Sequence, residues 1–166
     1  MPSETSLRVL IVDDNRDGAD ALGLLLEELE HQVHVTYGGL QALDVAAAFR
    51  PDLMLVDLLM PGMDGFEVCQ VLKSQDSTRE IPIIFMTALA DTVDKIKGFN
   101  LGAVDYITKP FQHEEVLARV NTHLSLRQLQ TQLQEEIKQR VEAEKILQQH
   151  ALELEKRNLE LDAFAR

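Results

Sequence analysis

Five short strand-like runs punctuate the first two thirds of the chain: LRVLIV (7–12), VHVTY (33–37), LMLV (53–56), IPIIFMT (81–87) and DYIT (105–108). Between the first two, Ala21, Leu22, Leu25, Leu26 and Leu29 recur at the spacing of one helix face. Similar stretches at 39–49, 65–74 and 91–101 predict three more helices, and a fifth begins after Pro110. Strands alternating with helices predict an α/β fold, a parallel sheet covered on both faces by right-handed crossovers. The run LMLV has no polar alternation, as a strand buried on both faces requires.

From Phe111 onward the pattern changes, because 56 residues pass without a Gly or Pro to stop a helix. Leucines recur every seventh position at 126, 133, 147, 154 and 161, interrupted by Arg140, and Ile137 and Ala151 follow two of the series by four residues. That spacing predicts a heptad seam, with a parallel homodimer through residues 125–166 as its natural state. The companion positions Gln130, Glu144 and Asn158 are polar, which suits one particular register more than high stability. Such a helix would span roughly 75 Å at 1.5 Å per residue. The pattern thus divides the chain into a tail (1–6), a globular domain (7–124) and a coiled-coil helix (125–166).

Charge narrows the choice of partners. The chain of 166 residues has a formal net charge of −12. Residues 1–124 hold 9 basic and 20 acidic side chains, and residues 125–166 hold 7 and 8. So acidic a domain repels phosphate backbones and anionic lipids, and neither nucleic acid nor membrane is expected as a direct partner. A single cysteine, Cys69, allows no internal disulfide, and there is no apolar run of about 18 residues and no signal-peptide core, so the cytosol is the expected compartment.

Candidate chemistry concentrates at the strand ends. Asp13 and Asp14 follow the first strand run and Asp57 follows the third, so three carboxylates converge where α/β sheets bind ligands. Asp13 or Asp14 could instead cap the helix that follows. Three carboxylates in one crevice repel one another unless a cation joins them, and an incomplete cage of hard oxygens suits Mg²⁺, with Mn²⁺ able to substitute. Thr87 closes the fourth run and Lys109 follows the fifth. A hydroxyl, an ammonium and a cation around a carboxylate are complementary to a transferring phosphoryl group, and carboxylates do form aspartyl phosphates.

In this order, LRVLIVDDN, VDLLMPGMDG, IIFMTALAD and GAVDYITKPF resemble the receiver domains of two-component response regulators. The resemblance implies a doubly wound, flavodoxin-like sheet of strand order 2-1-3-4-5 and phosphoryl transfer from a histidine kinase or phosphotransfer protein. It makes Asp57 the acceptor, gives Asp14 and Asp57 as direct Mg²⁺ ligands with Asp13 acting through water, and adds the backbone carbonyl of Leu59. Thr87 and Lys109 would hold phosphoryl oxygens, the Lys109–Pro110 peptide would be cis, and Tyr106 would be an aromatic switch that turns inward with Thr87. By this likeness the domain is a signalling receiver with only self-catalysed transfer and slow autodephosphorylation, not an enzyme acting on outside substrates. Val104 and the pair Gly38–Gly39 depart from the family pattern away from the pocket.

The stretch from LQEEIKQR to LDAFAR resembles the signalling helices that couple such domains to an output, and its end resembles the lead-in to a histidine kinase, so the chain is expected to come from a hybrid kinase. His150 lacks the acidic neighbour of a kinase histidine and is expected to be a surface residue. Two other classes compete. An aspartate-nucleophile phosphohydrolase requires a second acid where Leu59 stands, and a phosphorylation-independent dimer scaffold leaves the pocket unexplained.

Overall fold

The computed structural model describes residues 6–88 and 92–165, so residues 1–5 of the expected tail and Asp91 at the expected start of the fourth helix lie outside the described residues. The elements follow in the order β1 (Arg8–Val12), α1 (Arg16–Glu28), β2 (Gln32–Thr36), α2 (Gly39–Phe49), β3 (Leu53–Asp57), α3 (Gly65–Ser74), β4 (Ile83–Thr87), α4 (Thr92–Asn100), β5 (Asp105–Thr108) and α5 (His113–Ala165). The five strands form one parallel sheet of order β2-β1-β3-β4-β5, the doubly wound, flavodoxin-like arrangement.

Alternation along the strands separates two cores. Val9, Ile11, Leu53, Leu55, Ile84 and Met86 face α1 and the first turns of α5, while their neighbours Leu10, Val12, Met54, Val56, Ile83 and Phe85 face α2 and α3. Every residue of β3 and β4 is buried, which is why these strands read as unbroken apolar runs. The sheet steps from β1 to β2 on one side and from β1 to β3 on the other, and this reversal opens a crevice at the carboxyl ends.

The chain divides into two compact units, one through Arg127 and one from Gln128. The division falls three residues past Leu124, the boundary drawn from sequence, because Arg127 still reaches back to Glu80, at 3.9 Å. The second unit is the remainder of α5, helical to Ala165. No helix among the described residues is long and apolar enough to cross a membrane.

Leu55 is fully buried in β3, whereas Leu40 on α2 is 70% exposed. Leu55→Ala is expected to cost about 2–5 kcal/mol in urea unfolding and Leu40→Ala less than about 0.5 kcal/mol.

Candidate functional site

The crevice is built from the residues that end four strands. Asp13 and Asp14 leave β1, Asp57 ends β3, Thr87 ends β4, and Lys109 follows β5. The parallel register sets Asp57 beside Met86 and Thr87 beside Thr108, and the Lys109 amide donates to the Thr87 carbonyl at 2.7 Å. The Lys109–Pro110 peptide is cis.

Asp13, Asp14 and Asp57 each bring a carboxylate oxygen to within 4.8 Å of the others. Asp13 and Asp57 are buried and Asp14 is exposed. The Lys109 ammonium lies 2.8 Å from Asp13 Oδ2 and 3.4 Å from Asp57 Oδ2. The other Asp13 oxygen accepts from the Asn15 amide at 3.0 Å, and Asp57 Oδ1 accepts a longer bond, 3.4 Å, from the Leu59 amide. Neither Asp13 nor Asp14 caps α1. That task falls to Asn15, whose Oδ1 accepts from the Gly18 amide at 3.2 Å, so the local helix signal does not account for the two acids.

The electrostatics follow from this crowding. Burial, then the hydrogen bond and negative charge of Asp13, push Asp57 up to about 6, against the opposing pull of Lys109 and the Leu59 amide. For Lys109 burial acts downward, but the hydrogen bond to Asp13 and the charges of Asp57 and Asp13 outweigh it and raise its pKa. The donor set is all oxygen, carries more negative charge than Lys109 balances, and has one exposed member, Asp14, open to solvent. That chemistry fits Mg²⁺ with part of its coordination left to water or phosphate.

Gly65 lets the loop after Asp57 close. A Cβ there would lie 2.6 Å from the Asp57 carbonyl oxygen, so the first turn of α3 can sit against β3 only without a side chain. A cleft of about 400 Å³ opens beside the acids, lined by Asp13, Leu22, Met86, Lys109, Pro110 and Phe111, and its shared residues make it the mouth of the same site.

Thr87 is fully buried. Tyr106 is buried too, its ring 5.5 Å from that of Phe85 and 5.3 Å from that of Phe99, and its hydroxyl donates to the Asp94 carbonyl at 2.7 Å. Burial, with the charge of Asp94 second, pushes the phenol up to about 12, so it stays a donor. This seat exists because position 98 is glycine: a Cβ there would overlap the Tyr106 hydroxyl.

Four participants escaped the sequence: Gly98, Asp105, Arg119 and His123. Gly98 carries no turn signal, being interior to α4. Asp105, adjoining Tyr106, holds α5 through Arg119 Nη1 at 2.6 Å and His123 Nε2 at 3.0 Å. Burial alone would raise Asp105, but hydrogen bonds from His123, the Tyr106 amide and Arg119 outweigh it and hold its carboxyl below the usual range. The available signal was the four-residue spacing of Arg119 and His123, which puts both on one helix face.

The sequence model described as "Response regulator receiver domain" matches residues 9–121. Over 117 residues the chain is 43% identical to the DNA-binding dual master transcriptional regulator RpaA of Synechocystis sp., covering 70% of this chain and 48% of that protein. It is equally similar to the DNA-binding response regulator MtrA of Mycobacterium tuberculosis, over 70% of this chain and 50% of that one. The chain thus spans about half the length of the curated relatives it matches. Among solved structures, it is similar to a putative response regulator from Chloroflexus aurantiacus (TM-score 0.68, 36% identity, 72% of this chain and 98% of that one). It is also similar to the signal receiver domain of a signal transduction histidine kinase from Syntrophus aciditrophicus (TM-score 0.67, 38% identity, 72% of this chain and 91% of that one).

With Asp57 near 6 in the folded protein and about 3.9 when unfolded, the folded state holds the proton more tightly, so stability falls as pH rises from about 4 through 6. In EDTA this loss is expected to reach about 1–3 kcal/mol by pH 7.5; Asp57→Asn abolishes it, and millimolar MgCl₂ offsets it in the parent protein, all measurable by urea unfolding. Gly98→Ala is expected to turn the Tyr106 ring out of its seat, read as increased quenching of tyrosine fluorescence by acrylamide, with Tyr37→Phe as background to isolate the signal.

Proposed function

This chain belongs to the response regulator receiver domain family, and from that membership we propose that it accepts one phosphoryl group on Asp57 from a histidine kinase or a histidine phosphotransfer protein. The observation that supports this most directly is the convergence of Asp13, Asp14 and Asp57 with Lys109 at the ends of β1, β3 and β5.

Among the described residues, Asp57 is the one acid that both ends a buried strand and faces the ammonium of Lys109. Ionised, one of its oxygens attacks phosphorus in line: an O–P bond forms, the P–N bond to the donor histidine breaks, and the departing imidazole keeps the electron pair and takes up a proton. Asp14, Asp57 and the Leu59 carbonyl would hold Mg²⁺, with Asp13 behind them, and the bound ion would supply charge neutralisation for the acids and the phosphoryl oxygens. Lys109 moves its contact from Asp13 toward a phosphoryl oxygen, and the Thr87 hydroxyl donates to another. Thr87 shares β4 with Phe85, against which Tyr106 packs, so a shift of Thr87 is felt at Tyr106 and at α4.

The exposed heptad face of residues 125–166 then carries the state to an output module as a homodimer; a hybrid histidine kinase suits the LDAFAR lead-in. The DNA binding named for RpaA and MtrA belongs to those proteins, and the acidic first unit here does not suit a phosphate backbone. A phosphohydrolase is the weaker alternative because Leu59 stands where its second acid is needed.

Acetyl phosphate with MgCl₂ is expected to add the mass of one phosphoryl group per chain, none in Asp57→Ala, and to label Lys109→Gln at least roughly tenfold more slowly. Intact-mass spectrometry over time reads all three; repeated turnover of acetyl phosphate without an accumulating adduct would point to the phosphohydrolase.

A further inference from the structure

The unit that begins at Gln128 is a helix without a core of its own. Leu133, Ile137, Leu147, Leu154 and Leu161 are all exposed along it. Helices draw most of their stability from packing an apolar face, so this stripe calls for a partner. We propose that the partner is a second copy of the same segment, parallel and in register, and that Arg140 and Glu144 form a mixed-charge layer across the two helices that fixes the register. The inference deepens the dimeric reading above and rests on it.

The leucine series occupies the d positions of the heptad, which makes Ile137, Glu144, Ala151 and Asn158 the a positions and Arg140 a d position. In a parallel pair each d side chain enters a hole of four residues on the facing helix; for Arg140 these are Ile137, Arg140, Val141 and Glu144 of the second copy. Two arginines alone in that layer would repel. Two Glu144 carboxylates in the adjoining layer answer them, and the charges sum to zero. In this structure Arg140 Nη2 instead lies 3.2 Å from Glu136 Oε1 of its own helix. Both partners of that pair are mostly exposed, so the bond is weak and readily exchanged for an interhelical one.

The flanking charges agree with the same alignment. Residues at g meet e of the following heptad on the facing helix, which sets Arg157 against Asp162 and His150 against Glu155, and no such pair from 129 to 162 joins like charges. A slip of one heptad would set Arg140 against Leu147 and leave buried charge unpaired. The balance of the segment points to self-association as well: residues 125–166 are near neutral and can meet a copy, whereas 1–124 carry 20 acids against 9 bases.

The test uses the full chain. Sedimentation equilibrium is expected to give a dimer, weakened at least roughly tenfold by Arg140→Glu and returned close to the parent value by Arg140→Glu combined with Glu144→Arg. Leu133→Cys is expected to oxidise to a disulfide-linked dimer, because a parallel, in-register pair sets position 133 beside itself whereas an antiparallel pair sets it toward the far end of the facing helix, while Gln149→Cys on the outer face does not; Cys69 is buried and does not compete. A monomer at every concentration, or an assembly larger than two, overturns the dimer and leaves the phosphoryl-acceptor reading, tested by mass on Asp57, untouched. A dimer without the Leu133→Cys crosslink overturns the parallel register, and one indifferent to Arg140→Glu overturns the charged layer.

Discussion

Asp13 and Asp57 lie buried within reach of one ammonium, that of Lys109, while Asp14 adds a third carboxylate at the solvent edge. Two buried anions against one cation leave an excess of negative charge that the apolar strands around it cannot solvate. The pocket tolerates this in part by keeping a proton on Asp57 well above the usual carboxylate range and in part by offering an open oxygen cage to a divalent ion. Strand length, the reversal of winding between β1 and β3, and the glycine at 65 all serve to bring those groups to one point. Relax the crowding and Asp57 loses the burial and the neighbouring charge that hold its proton above the usual carboxylate range.

Much of this architecture can be read from the chain. β3 and β4 are buried on both faces, and their unbroken apolar runs admit no amphipathic alternative, so five strands and a parallel sheet follow from pattern alone. Because strand ends are where apolar runs stop, Asp13, Asp57, Thr87 and Lys109 could also be placed together without coordinates. Asp14 follows the same strand as Asp13, and its exposure gives it a different standing from its neighbour: one acid bonds Lys109 and the other faces water.

What escaped the sequence depends on contacts between residues far apart along the chain. Asn15 takes the α1 cap in place of its acidic neighbours, a choice settled only when Lys109 and the Asn15 amide engage Asp13. Gly98 is required by the volume of Tyr106, which arrives from another strand, and a lone glycine inside a helix carries no mark of that. Asp105 holds Arg119 and His123 together, yet in sequence it reads only as a polar residue opening a strand. The heptads differ in kind: their leucines stay exposed along the second unit, so their pattern bears less on the fold of one copy than the strand runs do.

Lys109, Asp13, Asn15 and Gly18 form a continuous relay of hydrogen bonds from the floor of the pocket to the first turn of α1. Any anion that draws the ammonium away strips Asp13 of the Lys109 counter-charge while leaving it buried. The pocket and the opening turn of α1 thus share one carboxylate, Asp13, tied to Lys109 through one oxygen and to the Asn15 amide through the other, so a change of charge in the crevice bears on the start of α1 as well as on Lys109.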